Sequence, residues 1–422
     1  MGNDLELLNL AEERSGGRYP PRLLFDKGIA VKGSFQPYMS LAEYTEADFL
    51  CDPYQVTPAM VRFSMASGQS GSGDTCRDLR AMEVKLYTRE GNCDLISLSL
   101  PEGMCRSGED FFRLVDELKP SERTGLGDQC GYLRYAADHP QALSGLLRLY
   151  GTKGLPSSYA SMESWAAGTM LWKNRAGDGF FLRHGWVPEE PPKYLSENEG
   201  EFLCGFDPDS MGRKLVNRLC ENRPPAFELR LHLIPMKSCR GREVRYCDPA
   251  LVWPEEEGIR LRAGRLTLEA LPEEPVRCER LLCCSPDTVV SGMAIPEGTF
   301  LHQMAVAIRA LQSARLGRER TAASVNRHHR RQRPAILAEV MRLSRDYDSS
   351  SESRATEFDP APYYAQARHL WNGTGEQEKM RIAGAFAQRL LFGPEELQNR
   401  FLEEMEKIDS EIAKFVEKQL LF

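Results

Sequence analysis

The spacing of apolar residues divides the chain into a part rich in strands and a helical end. Between about 28 and 100, short runs of β-branched and aromatic residues alternate with turn residues, which is typical of antiparallel sheet. The runs are MVRFSM (60–65), MEVKLYT (82–88) and CDLISLSL (93–100), and the turn segments are GQSGSGD (68–74) and REGN (89–92). We therefore predict antiparallel strands throughout this region.

Helical spacing follows, and strands then return. Residues 108–170 have a more helical pattern, since EDFFRLVDELK (109–119) places apolar residues at i, i+3 and i+4. Further strands are predicted at 178–187, 226–236 and 264–271, and FLHQMAVAIRALQSARL predicts a helix over 300–316.

The C-terminal part is predicted to be a helical end domain that packs against the main body. The polar, Ser-rich segment RDYDSSSESRATEF (345–358) is the best linker candidate, and amphipathic helical runs follow it. We predict an N-terminal arm that ends in Gly16-Gly17, a main body, a linker and a helical domain. Their bounds are 1–17, 18–345, 346–359 and 360–422.

Composition and charge exclude several classes of protein. The 422 residues carry 54 Lys and Arg against 61 Asp and Glu, and the net charge of −7 argues against a dedicated nucleic-acid binder. No apolar stretch approaches 18 residues, so no membrane span is expected, and the first residues lack the features of a signal peptide. The twelve cysteines form no CxxC pair, which favours reduced thiols over a zinc site and predicts a cytoplasmic protein.

One unbroken run carries a family resemblance. The segment TPAMVRFSMASGQSGSGDTCRDLRAMEVKLYTREGNCDL (57–95) resembles the monofunctional haem catalases, and DPALVWPEE (248–256) and CERLLCCSPDTVVSGM (278–293) are similar to later segments of that family. The resemblance implies an α+β fold of the small-subunit catalase type. That fold is a large antiparallel β-barrel with surrounding helices, among them a proximal-type helix at 300–316, and a C-terminal helical domain.

The positions that carry catalysis in the family differ in this chain. Phe25 stands where the resemblance places the distal histidine, and Leu98 stands at the distal asparagine. Ile308, seven residues before Arg315, stands at the tyrosine that ligates iron, and Met304 stands at its supporting arginine. Phenylalanine cannot move a proton between peroxide oxygens, and isoleucine cannot coordinate iron. We therefore expect that peroxide dismutation has been lost.

Other positions keep the character of the family's haem cavity. Arg22, Arg62 and Arg315 match the arginines that bind the haem propionates, because a guanidinium suits a carboxylate. They either bind an anionic ligand or are each paired with a carboxylate in a core that has lost its cofactor. The predicted cavity-lining residues are Phe25, Leu98, Phe111, Met304 and Ile308.

Three carboxylates are candidate acid/base groups. Asp26 follows Phe25 directly, Glu102 is expected across the same pocket, and Asp78 matches an acidic residue of the family's access channel. A carboxylate pair in an apolar cavity can act as acid and base. The alternative is that Asp26 points to a turn or to an arginine. Cys93 and Cys105 are either nucleophiles or buried, inert thiols.

Three functions remain open. The first is a protein that binds or transforms a small anionic ligand in the former haem cavity, with no cofactor and no metal. The second binds haem through an axial Met304 or His302, as a haem carrier, sensor or altered peroxidase. The third is a structural pseudoenzyme. Whether the chain is an enzyme is left open, and a homo-oligomer (dimer or tetramer) is expected. The basic run from Arg315 to Arg333 is either a subunit contact or solvated loop, or a surface for nucleic acid or an acidic partner.

Overall fold

Eight antiparallel strands close into a barrel at the centre of the protein. In this computed structural model the described residues are 21–69, 71–121, 123–239, 243–327 and 358–420. The closed ring runs β1 (Gly28–Pro37), β2 (Thr57–Met65), β3 (Arg80–Tyr87), β4 (Asn92–Leu98), β5 (Ser164–Ala166), β7 (Gly179–Pro188), β8 (Ala226–Pro235) and β9 (Ile259–Ala270). Pairing of β9 with β1 closes the ring. The short strands β6 (Met170–Lys173) and β10 (Met293–Ala294) extend the sheet beside β7.

Strands β2 and β3 are buried on both faces. Val61 and Phe63 of β2 and Met82 and Val84 of β3 belong to the apolar core of the barrel and are fully buried. The residues between them point outward, yet most are also buried, because helices and loops cover this side of the barrel. The covered outer face is where the candidate site lies.

Helices cover the barrel and form the C-terminal end. The helices found in the described residues are α1 (Asp48–Cys51), α2 (Gly108–Leu118), α3 (Gly131–Asp138), α4 (Leu143–Tyr150), α5 (Glu197–Phe206), α6 (Ser210–Cys220), α7 (Glu243–Cys247), α8 (Pro275–Leu281), α9 (Phe300–Leu316), α10 (Glu319–Ala322), α11 (Ala361–Asn372), α12 (Glu376–Leu390), α13 (Glu395–Ile408) and α14 (Ser410–Leu420). Ser107 and Asp110 form a capping box that begins α2.

The C-terminal helices share an apolar core with the main body. One cluster of buried residues joins Leu133 of α3 and Leu146 of α4 to Trp371, Phe386 and Phe401 of α11–α13. The end of the chain is therefore packed on the barrel's helical cover. The predicted arm (1–17) and most of the predicted linker (346–359) lie outside the described residues, so the domain bounds remain a prediction.

The patterned elements of the sequence are confirmed in the structure. The helix over 300–316 has the predicted bounds, and strands occupy 57–65, 80–87 and 92–98. The largely helical region 108–170 ends in the three-residue strand β5, which is too short to show a period of two. Helices α5 and α6 were not predicted. No helix in the described part of the chain is long and apolar enough to cross a membrane.

The shared core predicts that helix α12 contributes to the stability of the whole protein. Phe386 is fully buried, with its ring centroid 4.9 Å from that of Tyr150 and 5.1 Å from that of Phe401. We expect Phe386→Ala to lower the free energy of unfolding by about 3–5 kcal/mol in urea denaturation. The matched control is Phe392→Ala, since Phe392 is 74% exposed and should change it by less than about 0.5 kcal/mol. Equal effects would contradict a shared core.

Candidate functional site

A cavity of about 460 Å³ lies outside the barrel, between the outer face of β2–β4 and helices α2 and α9. The strand register builds one of its walls. Arg62 pairs with Glu83, and Ala81 pairs with Leu98, so these four side chains share the face that points away from the barrel core. All four line the cavity. Side chains therefore alternate along these strands, with one set filling the barrel core and the other lining the cavity.

Helix α9 forms the opposite wall with one of its faces. Met304, Ile308, Leu311 and Arg315 follow one another at intervals of four, three and four residues, which places them on one side of the helix. Together with α2 and the loop before β1, this helix brings the predicted ligand-binding and lining residues to one cavity. They are Arg22, Arg62, Arg315, Phe25, Leu98, Phe111, Met304 and Ile308.

Phe25 has an unusual backbone at the edge of this cavity. Its φ of 57° lies in the left-handed region, which non-glycine residues rarely adopt. Its N–H donates to the carbonyl oxygen of Ala66 at 3.0 Å, and its carbonyl oxygen accepts from Nη2 of Arg62 at 2.5 Å. One backbone and one side-chain hydrogen bond therefore hold the strained turn that carries the Phe25 ring to the cavity.

A buried carboxylate joins two of the three arginines. Oε1 of Glu279 accepts from Nη1 of Arg22 at 2.9 Å and from Nε of Arg62 at 2.8 Å. Arg62, which is 1% exposed, also donates to Oε2 of Glu83 at 3.1 Å. A Cβ atom at position 28 would lie 2.7 Å from Nη2 of Arg62, so the neighbouring strand needs glycine there. Arg22 and Arg62 thus match the expectation of arginines paired with carboxylates.

Burial and charge act differently on the two guanidinium groups. Burial and the charge of Arg62 lower the pKa of Arg22 to about 10, even though Glu279 opposes them. Burial also lowers the pKa of Arg62, but the carboxylates of Glu279 and Glu83 outweigh it, and the net pKa lies above its ordinary value. Arg62 is therefore the better compensated of the two.

Arg315 is less well paired. Its Nη1 donates to the carbonyl oxygen of Arg280 at 2.7 Å, whereas its buried Nη2 has no hydrogen-bond partner among the described residues. Burial lowers the pKa of Arg315. An unpaired buried donor is costly, so among the described residues of the cavity wall this nitrogen is the one that calls for an additional acceptor.

The three candidate acid/base carboxylates do not lie on the cavity wall. Asp26 accepts from the backbone N–H of Arg22 at 2.8 Å and from Nη1 of Arg280 at 2.9 Å. It thus follows the alternative in which it points to a turn and an arginine. The structure also does not place an acid/base pair in the cavity, contrary to the expectation for Asp26 and Glu102.

Glu102 and Asp78 do not reach the cavity, because other side chains hydrogen bond their carboxylates. Both oxygens of Glu102 accept from Nε of Arg148, at 2.7 and 2.8 Å, while the following residues Gly103 and Met104 reach the cavity. Asp78 accepts from the hydroxyl of Tyr132 at 2.6 Å. Burial raises the pKa of both carboxyl groups.

The two candidate cysteines are buried thiols. Cys93 belongs to the barrel core, and burial raises its pKa. Cys105 lines the cavity, but burial raises its pKa to about 12, so it holds its proton at neutral pH. These properties agree with the inert alternative.

Haem, the group that the resemblance implies, does not fit the described donors of this cavity in the family's manner. Ile308 offers no ligand atom at the proximal position, and Glu279 already occupies two of the three arginines. His302 is not on the cavity wall, and its Nδ1 accepts from the backbone of Gly298 at 3.3 Å. The remaining candidate ligand is the thioether of Met304, which does line the cavity.

Sequence reasoning missed Glu83 and Glu279. Glu83 lies in the strand run AMEVKLY, where a charged residue among buried neighbours signals a buried partner. Glu279 has no such signal, since its partners lie more than 200 residues away along the chain. Of the basic run, residues 328–333 lie outside the described residues.

Comparisons with known proteins show the family to which the chain belongs. The family model described as "Catalase" matches residues 2–365, and the model described as "Catalase-related immune-responsive" matches residues 358–420. The chain belongs to the catalase family. It is 26% identical to the catalase of Alkalihalophilus pseudofirmus, over 94% of this chain and 64% of that protein. It is also 26% identical to Catalase-2 of Caenorhabditis elegans, over 96% of this chain and 86% of that protein.

Solved catalase structures confirm the predicted fold. Catalase A from Saccharomyces cerevisiae superposes with a TM-score of 0.87 at 19% identity, over 99% of this chain and 93% of that chain. A bacterial catalase gives the same TM-score at 20% identity, over 99% of this chain and 90% of the other. The catalase-like barrel with its helical end is therefore present. The catalase of Alkalihalophilus pseudofirmus is longer than this chain, which spans 64% of its length.

The shared carboxylate predicts a large and specific effect on stability. Removing the charge of Glu279 leaves the buried Arg22 and Arg62 undercompensated, so Glu279→Gln should lower the free energy of unfolding by roughly 3–5 kcal/mol. The matched control is Glu274→Gln on the same segment, where an exposed pair with Arg277 should contribute less than about 1 kcal/mol. Urea denaturation measures both. A stable Glu279→Gln variant would contradict the assigned role.

Proposed function

We propose that this catalase-family protein does not dismute hydrogen peroxide and that its cavity binds a carboxylate with an apolar body, without haem. The observation that carries the proposal is the buried, unpaired Nη2 of Arg315 on a cavity wall that is largely apolar. A carboxylate oxygen is the acceptor that best suits a charged, unpaired guanidinium nitrogen. The ligand's apolar part would contact the walls supplied by β4, α2 and α9.

The charge balance around the arginines supports one negative charge on the ligand. Arg22, Arg62 and Arg315 carry three positive charges, and Glu279 and Glu83 supply two negative charges. The nearby Asp26 and Arg280 compensate each other. One positive charge remains, and a monocarboxylate would neutralise it. The second carboxylate of a dicarboxylate ligand would instead compete with Glu279 for Arg22 and Arg62.

The cavity's side chains support binding more than reaction. Heterolysis of peroxide needs a group that transfers a proton, and no histidine is present among the described lining residues. Phe25 and Leu98 stand at the positions of the family's distal pair, and both are apolar. Asp26, Asp78 and Glu102 are bonded elsewhere. A binding protein is therefore our preferred form of the first function.

Haem binding through Met304 is the second candidate. Its support is that Met304 is buried and lies on the cavity wall, as an axial ligand must. Against it, the propionates would have to displace Glu279 from Arg22 and Arg62. A structural pseudoenzyme needs no ligand cavity and would be expected to have a plugged one, so the open volume of about 460 Å³ counts against that alternative.

A comparison of two ligands with the same apolar chain tests the proposal. We expect decanoate to bind and to raise the melting temperature of the protein, whereas decanamide, which lacks the charge, should bind at least about tenfold more weakly. Isothermal titration calorimetry measures the two dissociation constants.

Variants at the end of α9 locate the carboxylate. Arg315→Gln should weaken decanoate binding by about tenfold or more and leave decanamide unchanged. The control is Arg318→Gln, which removes an equal charge from an exposed position three residues later. Equal binding of the two ligands, or full decanoate binding by Arg315→Gln, would contradict the proposal.

A further inference from the structure

Two cysteines that are far apart in sequence lie close together, outside the cavity described above. Cys76 lies in the loop between β2 and β3, and Cys204 lies in α5. Cys76 directly follows Thr75, whose hydroxyl oxygen lies 3.3 Å from Sγ of Cys204, so the two cysteines are neighbours in space. Both residues are free and partly exposed. They do not line the cavity described above, so their function is independent of its ligand.

The loop holds the Cys204 sulfur in place. The Thr75 hydroxyl lies 3.3 Å from Sγ of Cys204 and 2.9 Å from the carbonyl oxygen of Gly200, one turn earlier in α5. At Gly73, a Cβ atom would lie 2.7 Å from the same sulfur and 2.8 Å from the Cα atom of Cys204. The loop backbone and α5 are thus in close contact around this thiol pair.

The two thiols differ in their tendency to ionise. The hydrogen bond from Cys76 lowers the pKa of Cys204 to about 6, and Thr75 and Arg80 act in the same direction, while burial and Asp74 oppose it. The same hydrogen bond, together with burial and Asp78, raises the pKa of Cys76. Cys204 is therefore the thiolate of the pair, and Cys76 is the thiol that donates to it.

We propose that Cys204 and Cys76 form a peroxide-reactive pair that oxidises to a disulfide. The Cys204 thiolate attacks one oxygen of hydrogen peroxide, the O–O bond breaks, and Cys204 sulfenic acid and hydroxide form. The Cys76 sulfur then displaces the sulfenic hydroxyl, its proton leaves with that hydroxyl as water, and the S–S bond forms. Peroxide is reduced by two electrons, and the two thiols are oxidised.

The disulfide would join α5 to the loop that leads into β3. That loop also carries Asp78, which bonds Tyr132, and Leu79, which lines the apolar cavity. Oxidation would therefore restrain the segment next to the cavity, although the ligand makes no contact with the sulfurs.

The test uses the full-length protein, reduced and then treated with a few equivalents of hydrogen peroxide. Peptide mass spectrometry without reduction should show the Cys76 and Cys204 peptides joined with the loss of two hydrogens. In Cys76→Ser, dimedone should instead trap Cys204 as the sulfenic acid. In Cys204→Ser, Cys76 should stay unmodified.

Cys220 supplies the matched control. It is an exposed thiol on α6, and Cys220→Ser should form the disulfide at the wild-type rate. In the reduced wild type, iodoacetamide labelling at Cys204 should be about tenfold faster than at Cys220 near neutral pH, because the neighbouring Cys76 lowers the pKa of Cys204. Circular dichroism confirms that each variant is folded. Labelling of Cys220 ahead of Cys204, or no joined peptide in the folded wild type, would overturn the proposal.

Discussion

The carboxylate of Glu279, held between Arg22 and Arg62, is the interaction on which the rest of the site depends. It joins helix α8 to strand β2 and to the loop before β1. Arg62, once held there, donates to the carbonyl oxygen of Phe25 and so stabilises the left-handed backbone that carries this ring to the cavity. Two buried guanidinium groups would be strongly destabilising without this partner. The position of the Phe25 ring at the edge of the cavity therefore depends on this buried ion pair.

The same ion pair determines which ligand the cavity suits. With Glu279 on two arginines, the remaining unmet donor is on Arg315, at the end of α9. The catalase fold is present, and in our proposal the chemistry of its cavity differs from peroxide dismutation, since function depends on side chains and not on the fold. The thiol pair that we propose on the loop before β3 would follow the same principle, since it would place different chemistry elsewhere on the scaffold.

The sequence predicted most of the fold and several of the residues that line the cavity. It did not predict which buried charged groups pair with each other. Strands β2–β4 and helix α9 were predictable because alternation and helical spacing report which side of an element is buried. The family resemblance, and not the spacing alone, assigned Met304, Ile308 and Arg315 to the cavity. Periodicity does not report which distant residue a buried charge meets. For this reason Glu279, the partners of Asp26 and Glu102, and the contact of Cys76 with Cys204 emerged only from the structure.

The absorption spectrum of protein produced with excess haem, read together with oxygen release from hydrogen peroxide, tests the central claim most directly. Ile308 and Phe25 offer neither an iron ligand nor a proton-transfer group, and Glu279 occupies the arginines that would meet the propionates. The account predicts no Soret band in the purified protein and no oxygen release above that of buffer. A stoichiometric Soret band accompanied by sustained oxygen release would contradict it.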